Sequence, residues 1–362
     1  MLAHSTGRTL VLPPKKVLNH EKGSHSFEHF FDLDAINTFQ EGVAIITMDE
    51  FLTKEAGHVC RHNGTTNDCG KVHHEDYWYR DNPTDLYTLL ESVGHVPQWN
   101  SDPPSCALAV PGSKHGGKKG HPANDVPLCT YNSTAKLLHL SNRILSPHYS
   151  FVVFEDSQQD LFAKRLVRNF LHYNDDIVCA AARVVEAIRS FSSADGVSTD
   201  FYSMHIRRGD FSIQYPEGSV PAADLVEQSS TVIPDKALVY IATDEQDKSY
   251  FQPFQERYTV VFLDNFLSHI EGIDEVYFGM IEQLVSAKGK VFFGTWPSTF
   301  SSYINRIRGF YSVKEGIDNE GSIESMYFSS EHRYDMMKYK TVEAPSVAWL
   351  REYPEAWFQI DR

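Results

Sequence analysis

The residues best suited to chemistry lie in three short stretches of the second half of the chain. His205-Ile-Arg-Arg-Gly-Asp210 follows a run with strand character. Two adjacent arginines cannot both point into a core, so Arg207 or Arg208 faces a cleft or a partner. A guanidinium at the carboxyl end of a strand is well placed to hold a diphosphate, because its planar fork matches two phosphate oxygens. The competing reading is an ion pair between Arg208 and Asp210 across a tight turn at Gly209. Phe293-Gly-Thr-Trp-Pro-Ser-Thr-Phe300 reads as a strand, a glycine turn and a helix start. Ser298 or Thr299 can cap that helix, whose unpaired amides and positive dipole end then form an anion site without net positive charge. A plain capped helix is the alternative.

The third candidate is Glu282, on the helix before that strand. A carboxylate facing a cleft can accept the two parallel N–H donors at N1 and N2 of guanine; otherwise Glu282 is an ordinary solvated helix residue. Asp244, after Tyr240-Ile-Ala-Thr243, reads as a helix N-cap. Cys60, Cys69, His73 and His74 lack the two-residue knuckle of structural zinc sites.

These residues need a scaffold, and the chain supplies one. Strands are expected at Asp200–Ile206, Ala237–Thr243, Thr259–Leu263 and Lys290–Gly294, with helices at 273–287 and 298–307. Strand alternating with helix marks parallel βαβ units, which bind ligands at the carboxyl ends of their strands. Ahead of them, Ile177, Ala181, Val184, Val185 and Ile188 recur at helical spacing behind a cap at Asn174 and Asp175. The small-residue run from Ser190 to Thr199 is the expected domain boundary. In the N-terminal half, Arg8–Pro14 reads as a short buried strand preceded by the tail of a helix. Val43–Met48 reads as a second strand before a helix start.

The chain of 362 residues fits about two compact units of roughly 150 residues each. A hydrophobic share of 41% and a charged share of 22% exclude disorder and collagen-like repeats. A net charge of −15 excludes a broad electrostatic footprint for nucleic acid or anionic membrane. An anionic ligand must therefore be held by local arginines and amides. No apolar run approaches the roughly 18 residues of a spanning helix, and Met1–Ser5 has neither a basic nor an apolar signal-peptide region. Cys60 with Cys69, and Cys106 with Cys129, bracket polar loops that each pair could close, while Cys179 reads as a core thiol. With the glycosylation triplets at Asn63 and Asn132, they favour an oxidising, secretory environment.

His205–Asp210, Val239–Asp244, Ile281–Gln283, Phe293–Ser301 and Tyr303–Gly309 together resemble the ordered motifs of the GDP-fucose protein O-fucosyltransferases. Arg8–Pro14 and Phe30–Asp34 resemble segments of that family's N-terminal half. The resemblance implies an α/β architecture of GT-B type, two Rossmann-like domains facing a cleft. The expected division is residues 1–194, with a loop-rich insertion near 57–132, and residues 195–362, which bind GDP-fucose. It implies an inverting, metal-independent enzyme, using no cofactor, that moves L-fucose to a Ser or Thr hydroxyl of a protein or to a glycan hydroxyl. His205, Ile206, Arg207, Arg208, Asp210, Ser298, Thr299 and Phe300 would contact the donor, Glu282 the guanine, and Arg207 the leaving diphosphate. The implied compartment is the ER or Golgi lumen. The family opens with a strand and a Gly/Asn-rich loop that should precede Leu2-Ala-His4. The N-terminal domain is therefore expected to lack its first strand, and with it the catalytic base in some members. A non-catalytic GDP-sugar binder, or an inactive fragment, is the alternative.

Overall fold

The structure, a computed structural model, describes residues 2–5, 7–12, 16–17, 24–38, 43–55, 98–99, 138–139, 157–193, 200–209, 211, 220–295, 298–314, 324–328, 354 and 357. Asp210, the insertion near 57–132 apart from Gln98 and Trp99, with Cys60, Cys69, Cys106 and Cys129, and Asn63 and Asn132 lie outside the described residues. The chain divides into two compact units, Met1–His172 and Tyr173–Arg362.

In the first unit, helix α1 (Leu2–Ser5) precedes strand β1 (Leu10–Val11), which pairs in parallel with β2 (Ile45–Ile46). Helix α2 (Met48–Glu55) is opened by a reciprocal cap. The Thr47 hydroxyl accepts the Glu50 amide at 3.1 Å, and the Glu50 carboxylate accepts the Thr47 amide at 2.9 Å. Helix α3 spans Ser157–Phe170. Strand β1 is only partly buried: Leu10 is exposed and Leu12 is the inward residue. Among the described residues β1 pairs with β2 alone, and the expected buried strand is only partly buried.

The second unit opens with helix α4 (Asp175–Ser193), capped where Asn174 Oδ1 accepts the Ile177 amide at 3.1 Å. The helix runs past Ser190, and it packs on α7 (Phe278–Ala287) of the same unit, whereas the sequence places a boundary at 194/195. Its apolar stripe buries Ile177, Ala181, Val184 and Ile188. Cys179 is exposed, against the sequence expectation. Two residues past Ile177 is about 200° around the helix, on the opposite face.

Five parallel strands follow: β3 (Tyr202–Ile206), β4 (Leu238–Thr243), β5 (Thr259–Val261), β6 (Val291–Thr295) and β7 (Glu324–Phe328), in spatial order β5-β4-β3-β6-β7. The sheet grows outward on both sides of β3, so the winding order of its parallel strands reverses between β3 and β6. Helices α5 (Ala222–Ser229) and α6 (Gln252–Arg257) share one apolar cluster with Met204, Ile206, Val239, Ile241 and Phe293. Helix α7 packs against β3 and β4, and α8 (Thr299–Lys314) packs beside α7 and against β6. Cover on both faces explains why β6 is buried along its whole length and β4 along all but its last residue.

Strand β7 was not expected from the sequence. It is held by Arg308 of α8, which is itself buried. That guanidinium donates to the carbonyls of Ala287 (3.1 Å), Gly289 (2.6 Å), Lys290 (3.4 Å) and Glu324 (3.0 Å), and to Ser325 Oγ (3.0 Å). Most partners of this staple are main-chain carbonyls, which leave no mark in local sequence.

Candidate active site

A doubly wound sheet leaves a crevice where its strand order reverses, at the carboxyl ends of the two strands concerned. Here those strands are β3 and β6, and they carry the two sequence stretches with the strongest chemical signature. Thr295, the last residue of β6, joins them. Its hydroxyl donates to the His205 carbonyl at 2.9 Å and accepts the Arg207 amide at 3.0 Å. Its own amide donates to Ser301 Oγ at 2.9 Å. On the other flank the Thr243 hydroxyl donates to the Ile206 carbonyl at 2.7 Å. Two threonines thus extend the ladder past its end and fix the backbone that presents Arg207.

His205 is buried on the α8 side of the sheet. Its Nδ1 lies 2.7 Å from Ser301 Oγ, and its ring stacks on Phe300 with centroids 4.4 Å apart. Burial, assisted by the Arg207 charge, lowers its pKa to about 3, so the ring is neutral across the physiological range. Ile206 points to the opposite face and sits in the apolar core, so only its backbone belongs to this edge. Arg207 keeps 29% of its side chain exposed and pairs with Asp244 at 3.2 Å. Arg208 is committed elsewhere: its Nε donates to Glu245 at 3.1 Å, and its guanidinium lies 3.9 Å from the Tyr250 ring centre.

Ser298 is buried immediately before α8. Its amide donates to the Thr295 carbonyl at 3.1 Å, and its carbonyl accepts the Ser302 amide at 3.2 Å. Thr299 and Phe300 form the half-buried first turn of α8. Gly294 has to be glycine there, since a Cβ would stand 2.8 Å from that of Ser301. The opening of α8 is therefore tied to the ends of β3 and β6 through Ser301, whose hydroxyl meets His205 and the Thr295 amide.

Glu282 is half-buried on α7 and hydrogen-bonds the Thr243 backbone at the end of β4. Its pKa is raised to about 8 by burial and then by the nearby Asp264 charge, with Lys248 acting in the opposite direction. The next residue, Gln283, accepts from the Tyr173 hydroxyl and donates to the Phe300 carbonyl at 3.5 Å. Helix α7 thereby touches both the β4 end and the α8 start.

One sequence expectation is overturned. Asp244 caps no helix: the chain continues through a loop, and Asp247 caps the following 3₁₀ turn by accepting the Ser249 amide at 2.9 Å. Asp244 instead accepts the Arg208 amide at 2.7 Å and pairs with Arg207. Thr295, Ser301 and Gln283 stood in the quoted motifs without an assigned role. A threonine closing each strand beside β3 was the available signal. Among the described residues, no three His, Cys, Asp or Glu side chains gather to hold a metal ion.

The sequence matches the family described as GDP-fucose protein O-fucosyltransferase over residues 1–311. No curated protein matches the chain. Among solved structures, POFUT1 in complex with GDP-fucose aligns with a TM-score of 0.44 at 14% identity, covering 90% of each chain. NodZ alpha-1,6-fucosyltransferase co-crystallized with GDP aligns with a TM-score of 0.40 at 14% identity, covering 85% of this chain and 84% of that one.

Proposed function

The chain belongs to the GDP-fucose protein O-fucosyltransferase family and is a fucosyltransferase, and we propose that it moves L-fucose from GDP-fucose to a Ser or Thr hydroxyl of a protein acceptor with inversion at the anomeric carbon. The acceptor oxygen forms a bond to that carbon as the bond to the diphosphate oxygen breaks, and the hydroxyl proton leaves to a base. Negative charge then accumulates on the departing diphosphate. Arg207 and the first-turn amides of α8 take that charge, the electrostatic task that a bound cation performs in other enzymes, so the reaction is metal-independent. Phe300 and the neutral His205 form the wall beside the nucleotide, and the Glu282 carboxyl, giving up its proton as guanine binds, accepts the two N–H donors of the guanine edge.

The observation that carries this reading is the junction at Thr295. One hydroxyl ties the Arg207 backbone to the strand that leads into α8, which supports a reading in which the Arg207 side chain and the start of α8 serve one ligand at the strand ends. The acceptor triplets at Asn63 and Asn132, with the loop-bracketing cysteines, support a lumenal, secretory setting. Among the described residues, no helix is long and apolar enough to cross a membrane.

The test is GDP-fucose turnover together with GDP calorimetry on the wild-type chain and on Arg207→Ala. The variant is expected to lose about 100- to 1,000-fold in kcat, the effect of one missing transition-state donor. A loss smaller than about threefold removes Arg207 from the mechanism.

A further inference from the structure

The donor-site reading leaves open why one of two adjacent arginines is presented and the other withdrawn. We infer that Asp244 is a positioning residue for transfer: it fixes the direction of the Arg207 guanidinium at the strand ends and the turn from which that side chain springs. The inference rests on the donor-site reading and assigns a role to a side chain outside the proposed ligand contacts.

The two oxygens of Asp244 divide the work. Oδ1 accepts the Arg208 amide at 2.7 Å, and Oδ2 pairs with Arg207 Nη1 at 3.2 Å. The turn is shaped around this carboxylate. Gly209 has a φ of +29°, and a Cβ there would stand 2.5 Å from Oδ2, so a side chain at 209 would push the carboxylate off Arg207. From the other flank the Thr295 hydroxyl receives the Arg207 amide at 3.0 Å. Arg207 is thus held at its backbone by the end of β6 and at its tip by the residue following β4. A guanidinium is a rigid plane of five N–H donors, so a partner at Nη1 sets the direction of the whole fork.

Arg208 shows the counterpart. Its side chain is drawn the other way, to Glu245 at 3.1 Å and the Tyr250 ring at 3.9 Å. Consecutive carboxylates, 244 and 245, therefore sort the two consecutive arginines. A mispointed guanidinium still binds a diphosphate from solution but meets the departing oxygens in the wrong geometry, which is a loss in kcat rather than in ground-state binding.

Asp244→Asn retains an oxygen for the Arg208 amide and removes the charge facing Arg207. Wild type, Asp244→Asn, Arg207→Ala and the double variant are compared for GDP-fucose turnover, GDP affinity and thermal midpoint. Asp244→Asn is expected to melt within about 3 °C of wild type. Its kcat is expected to fall about tenfold or more with KM for GDP-fucose within about threefold. In the Arg207→Ala background the same substitution should change kcat no further, since its route of action is gone. A merely structural aspartate would lower the midpoint and add its full effect to that of Arg207→Ala. An Asp244→Asn kcat within about threefold of wild type, or full additivity, overturns the inference. A wild-type chain that binds no GDP overturns the donor-site reading, and this inference with it.

Discussion

His205 and Glu282 lie at the same sheet edge, yet their surroundings push their protonation in opposite directions. Burial holds His205 at about 3, below its ordinary 6.5. Between those values the unfolded chain binds a proton that the folded one refuses, so stability is lost as pH falls from about 6.5 toward 3. Glu282, raised from 4.5 to about 8, keeps in the fold a proton that the unfolded chain releases. Its contribution is complete below 4.5 and is lost as pH rises toward 8. The two slopes oppose one another between 4.5 and 6.5. Urea unfolding should therefore give greatest stability inside that window, with each limb steepening by at most about 1.4 kcal/mol per pH unit. His205→Gln should flatten the acid limb and Glu282→Gln the alkaline one. An alkaline limb indifferent to Glu282→Gln would mean that its carboxyl is as solvated as in the unfolded chain.

The strands of the second unit are short, and several of their ends are secured by side chains. Thr243 and Thr295 secure the carboxyl ends beside β3. Arg308 secures the opposite ends, gathering carbonyls from the α7 terminus, the start of β6 and the start of β7. Removing it leaves several buried acceptors without a donor. Arg308→Ala should cost about 3 kcal/mol or more, read as a lower urea midpoint at unchanged slope. Arg308→Lys should recover only part of that loss, because an ammonium is a compact point charge and cannot span four carbonyls and a hydroxyl. Full recovery with lysine would show that charge alone, and not the planar fork, holds these ends together.

At the scale of the whole molecule, a net charge of −15 works against any anionic ligand, so affinity for a nucleoside diphosphate has to come from one local edge. GDP at about 100 times its dissociation constant should add about 2.7 kcal/mol of stability, seen as a raised thermal midpoint. Arg207→Ala should reduce that shift at equal GDP concentration. A shift undiminished in Arg207→Ala would place the nucleotide away from the β3 end. Much of this edge was legible beforehand. The His205–Asp210 and Phe293–Ser301 stretches announce themselves because strand-to-loop and strand-to-helix transitions leave local marks: apolar runs, glycine, and capping hydroxyls. Fold class and the candidacy of Arg207, Ser298 and Phe300 were therefore properties of the sequence. The partner of each charge was not. Asp244 follows a strand as a helix cap would, and nothing within a few residues of it reveals Arg207, 37 positions earlier, as its partner. The order of strands, with β6 rather than β4 supplying the Thr295 bridge, likewise depends on which hydrogen-bonding edges meet. The withdrawal of Arg208 to Glu245 and Tyr250, and the burial of Arg308 among carbonyls, were settled in the same way. Local pattern selects residues able to do chemistry, whereas long-range pairing in a sheet decides which of them face each other.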